Sequence, residues 1–243
     1  MSTFVKILAS VILSLLLTSC NFDLNQVNGN GNVVDKDLDI DGEFNAISVS
    51  NGWEVFVKKG AQPEVTASID ENLYEFLDVH LDGNTLEIEM KDNSNVGRAT
   101  SRKIFVTYTE ELDELKANSA GEINLEGVLK GEKINFDVSS AGSIMADLEV
   151  RHVHAEASSA AVLRLKGLSQ TFEGSASSAA MVDAEQLKTE TASADVSSAG
   201  SIKVFASKAI DAEASSGGQV SYWGNPKEVR DSESSGGAVN KKS

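Results

Sequence analysis

Apolar and polar residues alternate through the second half of the chain, and the alternation restarts at a fixed interval. Take Ser119, Ser140, Ser159, Ser178, Ser198, Ser216 and Ser235 as position zero. Position +4 is then Ile123, Ile144, Leu163, Val182, Ile202, Val220 and Val239, aliphatic in every copy. Position −6 is Ile134, Val153, Phe172, Ala192, Ile210 and Val229, with Asp113 in the first copy. Positions −2 and +6 are also mostly apolar or small, whereas −3 carries Asp137, Glu156, Asp195 and Glu213, and +5 carries Arg164, Asp183 and Lys203. A period of two predicts strands with one buried face. No i, i+3, i+4 stripe supports a helix. Successive zeros are separated by 21, 19, 19, 20, 18 and 19 residues. A repeat near twenty residues predicts one strand-built unit stacked on itself, a parallel β-helix with 19–21 residues per rung.

The phrase around each zero is small: Ser139-Ser140-Ala141-Gly142, Ser158-Ser159-Ala160-Ala161, and so on to Ser234-Ser235-Gly236-Gly237. Gly or Ala at +2 predicts a tight bend with no room for a bulky side chain. The serines are expected to point inward and satisfy one another and the backbone. A flexible linker would not keep +4 aliphatic, and seven equivalent serines cannot all be activated in a chain with 3 histidines. In the last copy Asp231, Glu233 and Lys241 replace apolar or small residues, as a solenoid end cap requires.

The front half is strand-like but reads out of register with the repeat. Phe44, Ile47, Val49, then Trp53, Val55 and Val57 alternate about a turn at Asn51-Gly52. Val65 to Ile69 makes another strand, Asn72 to Leu77 suits a helical turn, and Asp82-Gly83-Asn84 suits a hairpin.

The N-terminus changes the picture. One lysine, an apolar Ile7 to Leu17 and Leu17-Thr18-Ser19-Cys20 make a secretory signal, too short to span a membrane. The junction resembles a bacterial lipobox. The resemblance implies that residues 1–19 are removed, that Cys20 is diacylated, and that residues 20–28 form a lipidated terminus and tether before a single domain at 29–243. Cys20 is the only cysteine, so no disulfide framework is possible. Loss of Lys6 takes the formal charge from −16 to −17. That charge argues against nucleic acid and against direct adhesion to anionic headgroups, and leaves the lipid, not a basic patch, as the expected membrane contact.

Gly29-Asn30-Gly31-Asn32, Phe44-x-x-Ile47-x-Val49, Asp70-Glu71-Asn72-Leu73 and Gly83-Asn84-x-Leu86-x-Ile88, followed by the Ser-Ala-Gly copies, resemble in order the head GIN domain of the autotransporter-adhesin type. The resemblance implies a right-handed parallel β-helix on a Bacteroidetes-type envelope lipoprotein, placed in the outer membrane of a Gram-negative cell, and it carries over no catalytic residue.

Other constellations are incomplete. Asp37-x-Asp39-x-Asp41-Gly42 mimics half an EF-hand loop, but Ser48 stands where the bidentate glutamate belongs. The acidic −3 column, with Glu173 and Asp211 at −5, reads as a solvated face. His152 and His154 share a strand face without a third ligand, and His80 is distant in sequence. Trp53 and Trp223 are candidate stacking platforms, with Trp223 better suited to shielding the core's end. No cofactor or metal set is complete and no acid–base pair stands out. The expected function is non-catalytic binding of a glycan or envelope protein on a flank of the stack. The rivals are a polysaccharide-active enzyme on the same fold and a homo-oligomeric structural module.

Overall fold

The computed structural model describes residues 26–91 and 94–243. It is all-β, a β-solenoid of about 7 turns. The expected signal segment and Cys20 lie outside the described residues.

The front contains β1 (Gln26–Val27), β2 (Val33–Leu38), β3 (Ala46–Val49), β4 (Glu54–Lys59), β5 (Glu64–Asp70), β6 (Leu77–Asp82), β7 (Thr85–Met90), β8 (Asn95–Val96) and β9 (Arg102–Tyr108). The expected helical turn is a short 3-10 turn at Glu71–Leu73. The rear contains β10 (Glu114–Ala117), β11 (Glu122–Val138), β12 (Ser143–Ala157), β13 (Val162–Ala176), β14 (Met181–Val196), β15 (Ser201–Ala214), β16 (Gln219–Trp223), β17 (Glu228–Glu233) and β18 (Ala238–Lys241).

From β10 onward every pairing is parallel and like stacks on like. Ile123, Ile144, Leu163, Val182, Ile202, Val220 and Val239 are successive register partners. The first six are fully buried, and Val239 packs against the core as part of the last turn. The aliphatic +4 ladder is therefore the spine of the core. Each buried rung adds on the order of 1.5–3 kcal/mol of hydrophobic stabilisation per large side chain.

The recurring corner is a β-turn. The Ser139 carbonyl accepts the Gly142 N–H at 2.8 Å, and Ser140 and Ala141 have φ of 50° and 61°. Positive φ at both central residues is the type I′ pattern. Corners from Ala120 to Ser216 are tied each to the next: Ala141 N–H donates to Ser159 O at 3.0 Å, and Ala160 N–H to Ser178 O at 3.0 Å. The serines at zero do not point inward. Ser140, Ser159, Ser178, Ser198 and Ser216 are exposed, because the left-handed turn takes this position out of the strand alternation.

Position +2 is confined by backbone. A Cβ on Gly142 would lie 2.3 Å from the Ala117 carbonyl oxygen of the preceding rung. Where alanine occupies the position, as at Ala161, the turn hydrogen bond lengthens to 3.2 Å.

Differences in rung length are absorbed away from this corner. The pairing of β11 with β12 shifts between Asn124 and Val128, that of β13 with β14 between Arg164 and Lys166, and that of β14 with β15 after Ala184. The last turn is polar: every residue of β17 is exposed, including Asp231 and Glu233, and Lys242 N–H still pairs with Tyr222 O at 2.8 Å.

The front is in register with the repeat, contrary to the sequence reading. Val49 pairs with Ala117 and Glu54 with Glu122, which places Ser50-Asn51-Gly52-Trp53 directly on the Asn118-Ser119-Ala120-Gly121 corner. Asn51 and Gly52 have φ of 58° and 86°, so the same turn is made. The similarity is hidden by Trp53 at +2. β7 runs straight on to Met90 instead of turning, and Trp53 fills the space, fully buried with Nε1 donating to Glu89 O at 3.1 Å. Antiparallel pairs close this end: β6 on β7, as the Asp82-Gly83-Asn84 turn predicts, and β2 and β9 on β5.

Asp70 locks the front together. It is fully buried, and its carboxylate accepts N–H groups of Gly31 at 2.9 Å, Ser101 at 3.0 Å and Thr100 at 3.2 Å. Asn30 N–H donates to Asn72 Oδ1, Asn72 Nδ2 to Asn28 O, and Asn32 Nδ2 to Glu71 Oε2. The Gly29-to-Asn32 and Asp70-to-Leu73 segments are thus one lock made from two distant stretches. A Cβ at Gly29 would fall 1.9 Å from Asp70 Oδ2, which requires glycine there.

Candidate binding surface

Outward residues before and after the corner form two flanks of different chemistry. The flank before it stacks Glu87, Ser48, Lys116, Asp137, Glu156, Ser175, Asp195, Glu213 and Ser232 as successive register neighbours. This is the acidic column seen in the sequence. Its one lysine, Lys116, is raised above the ordinary lysine value by its hydrogen bond to Glu114, 2.9 Å away, despite partial burial, with further help from Asp137 and Glu87. His154 lies 3.0 Å from Glu156 and 3.7 Å from Glu173, and His152 lies 2.8 Å from Thr171. Carboxylates, not the second histidine, surround His154.

The flank after the corner is more apolar. Phe105 stacks on Phe56 with centroids 5.4 Å apart, and Asn124, Met145, Arg164, Asp183 and Lys203 follow along the same column. A groove of about 480 Å³ opens here between Leu125, Val128, Met145, Arg164, Lys166 and Asp183. Its cause is the extra length of the 21-residue first rung: at Gly127, with φ of 83°, β11 leaves register and steps away from β12. Val128 and Met145 are 46% and 40% exposed there. Lys166 pairs with Asp147 at 3.3 Å and Lys203 with Asp183 at 3.4 Å. Among the described residues Arg164 has no ion-pair partner in the groove. The sequence signals for it were only the 21-residue step and the out-of-pattern methionine.

Other sequence candidates resolve differently. Asp37 belongs to β2 and accepts the Thr66 hydroxyl at 3.0 Å, so the EF-hand-like run is an exposed strand edge and loop. Trp53 is core and cannot be a stacking platform, while Trp223 is half-buried beside buried Tyr222. Among the described residues one set of three histidine and carboxylate groups converges: Asp78, His80 and Glu89 on the β6–β7 hairpin. The sequence reading sought a metal set only around His152 and His154; the fold instead gathers carboxylates at His80, Asp78 from its own strand and Glu89 from the antiparallel neighbour. No helix among the described residues is long and apolar enough to cross a membrane.

The stack, its polar end and its two continuous flanks define a β-solenoid module. The chain belongs to the family described as "Putative auto-transporter adhesin, head GIN domain", whose model matches residues 43–226. Membership makes it an adhesin-like protein of the cell surface or envelope. Solved structures share the fold. A protein described as a "putative adhesin" from Bacteroides fragilis has a TM-score of 0.79 at 17% identity over 89% of this chain and 100% of its own. A protein from Parabacteroides distasonis, described as a "putative lipid binding protein", has 0.71 at 20% identity, over 90% and 100%. One from Parabacteroides merdae, also described as a "putative adhesin", has 0.71 at 18% identity, over 90% and 100%. No curated protein matches the chain.

Proposed function

We propose that this is a lipid-anchored envelope protein, attached to the outer membrane through Cys20, that binds a glycan or envelope protein on the flank after the corner and carries out no catalysis. The observation that carries the reading is the groove. Exposed Val128 and Met145 stand beside an Arg164 guanidinium that has no ion-pair partner among the described residues, in a chain whose formal charge is −16. An apolar wall with one uncompensated cation suits a ligand that offers an apolar patch and an acidic group. A lipid headgroup with an acyl chain has the same chemistry, and the Parabacteroides neighbour's name points the same way.

The test is a binding screen of the purified protein against acidic glycans, anionic lipids and envelope proteins. Binding should weaken with salt and fall in Arg164→Glu and Val128→Glu. Binding by both variants as tight as that of the unaltered protein would refute the groove. Cys20→Ala should release the protein from membranes, and continued membrane fractionation would refute the anchor.

One observation favours a polysaccharide-active enzyme instead: Asp147 and Asp183 both line the groove. Each is held by a lysine, which suits a structural ion pair better than an acid–base couple. Polysaccharide cleavage abolished by Asp147→Asn would establish the enzyme.

A further inference from the structure

We propose that Asp78, His80 and Glu89 form a binding site for a divalent transition-metal ion of the zinc type. Asp78 and His80 are two apart on β6 and so share a face, and Glu89 of β7 lies directly across from Asp78. Glu87 lies directly across from His80. The three ligand atoms are all within 4.8 Å of one another. His80 Nδ1 is 3.6 Å from Asp78 Oδ1. That is too long for a hydrogen bond. It matches the separation of two ligands on a tetrahedral ion, about 3.3–3.6 Å for bonds of about 2.0–2.2 Å.

Charge argues in the same direction. Two carboxylates directly opposite on neighbouring strands repel. Among the described residues Asp78 has only His80 within ion-pair distance, and Glu89 has no cationic partner. A bound cation removes this cost. The scaffold is rigid: the turn with Gly83 at φ 60° sets the register, and Val79 and Leu81 hold the strand on the core. One imidazole with two carboxylates selects zinc, manganese or iron(II) over calcium and magnesium, which prefer oxygen alone. β6 is the last strand of its sheet, and His80 is exposed. The ion would therefore keep an open position facing solvent at the end of the solenoid, where a carboxylate or imidazole of a partner can complete it.

Calorimetric titration of the detergent-solubilised full chain with Zn²⁺, and Co²⁺ absorption spectroscopy, test the proposal. One equivalent should bind, and millimolar Ca²⁺ or Mg²⁺ should not displace it. His80→Gln, Asp78→Asn and Glu89→Gln should each weaken binding at least about tenfold. All three side chains are solvent-accessible, so far-UV circular dichroism should be unchanged. His154→Gln serves as the control and should leave binding intact. No binding by the native chain, binding unchanged in His80→Gln, or binding lost only in His154→Gln would overturn the site.

Discussion

In the rear stack each rung is held by the same small parts. A type I′ corner recurs with a turn hydrogen bond of 2.8 to 3.2 Å, and the aliphatic ladder runs through every coil. In the front, the same coil is closed by parts used once. Trp53 fills the space under the first corner, and Asp70 gathers three N–H groups from two loops. The difference teaches how a solenoid tolerates change. Stability in the stack is a sum over repeats and nearest neighbours, so a defect stays local. A single lock has no duplicate, so its loss releases every segment it joins.

The largest expected effect is Asp70→Ala. Three N–H groups would lose a buried, charged acceptor, each bond worth about 1.5–3 kcal/mol, and water would replace part of it at exposed Gly31 and Thr100, for a loss of about 3–6 kcal/mol. Denaturant unfolding followed by Trp53 fluorescence in a Trp223→Phe background should show the front melting ahead of the stack. A single unshifted transition would mean that the lock is dispensable.

Next is Ile144→Ala in the fully buried ladder, at about 2–5 kcal/mol. Hydrogen exchange should rise in β11, β12 and β13 and stay unchanged in the front. Uniform loosening would show that the two regions are one cooperative unit.

Acid should separate the regions more gently. Burial works to raise the Asp70 pKa, but the N–H groups of Gly31, Ser101 and Thr100 outweigh it and hold it below the ordinary value of 3.8. A depressed folded-state pKa gives stability that is full above the unfolded value and is lost as pH falls through the folded one. The front should therefore weaken below about pH 4, and Asp70→Asn should flatten that dependence. The same acid profile in both proteins would assign the effect to other carboxylates.

The smallest effect belongs to the corner. Ala160 has φ of 61°, which costs a side-chain-bearing residue about 1–2 kcal/mol. Ala160→Gly relieves this and loses about 0.5–1 kcal/mol to chain entropy. A net gain of about 0.5–1 kcal/mol should appear in the melting temperature. The equivalent change at Ala146, buried mid-strand in the same stack, should be destabilising.

Much of the rear was legible because its constraints are local and repeated. The aliphatic residue at +4, the small residue at +2 and the polar last copy each state their environment in their own side chain. The front was misread because its register depends on a distant partner. Ser50-Asn51-Gly52-Trp53 makes the same corner as Asn118 to Gly121, yet tryptophan at +2 breaks the pattern, and only the straight run of β7 explains why it fits. The serines were misplaced because a left-handed turn overrides strand alternation.

By itself, the sequence determined the strand period, the rung length, the tight corner and the acidic face, since each follows from residue size and polarity along one stretch of chain. Only the tertiary structure decided that a two-residue excess in the first rung opens a groove beside Arg164. It alone placed Asp70 under two remote loops, and it alone brought Glu89 to Asp78 and His80. These features are juxtapositions: register and turn geometry set the distances between groups far apart in the chain, and no single segment encodes them.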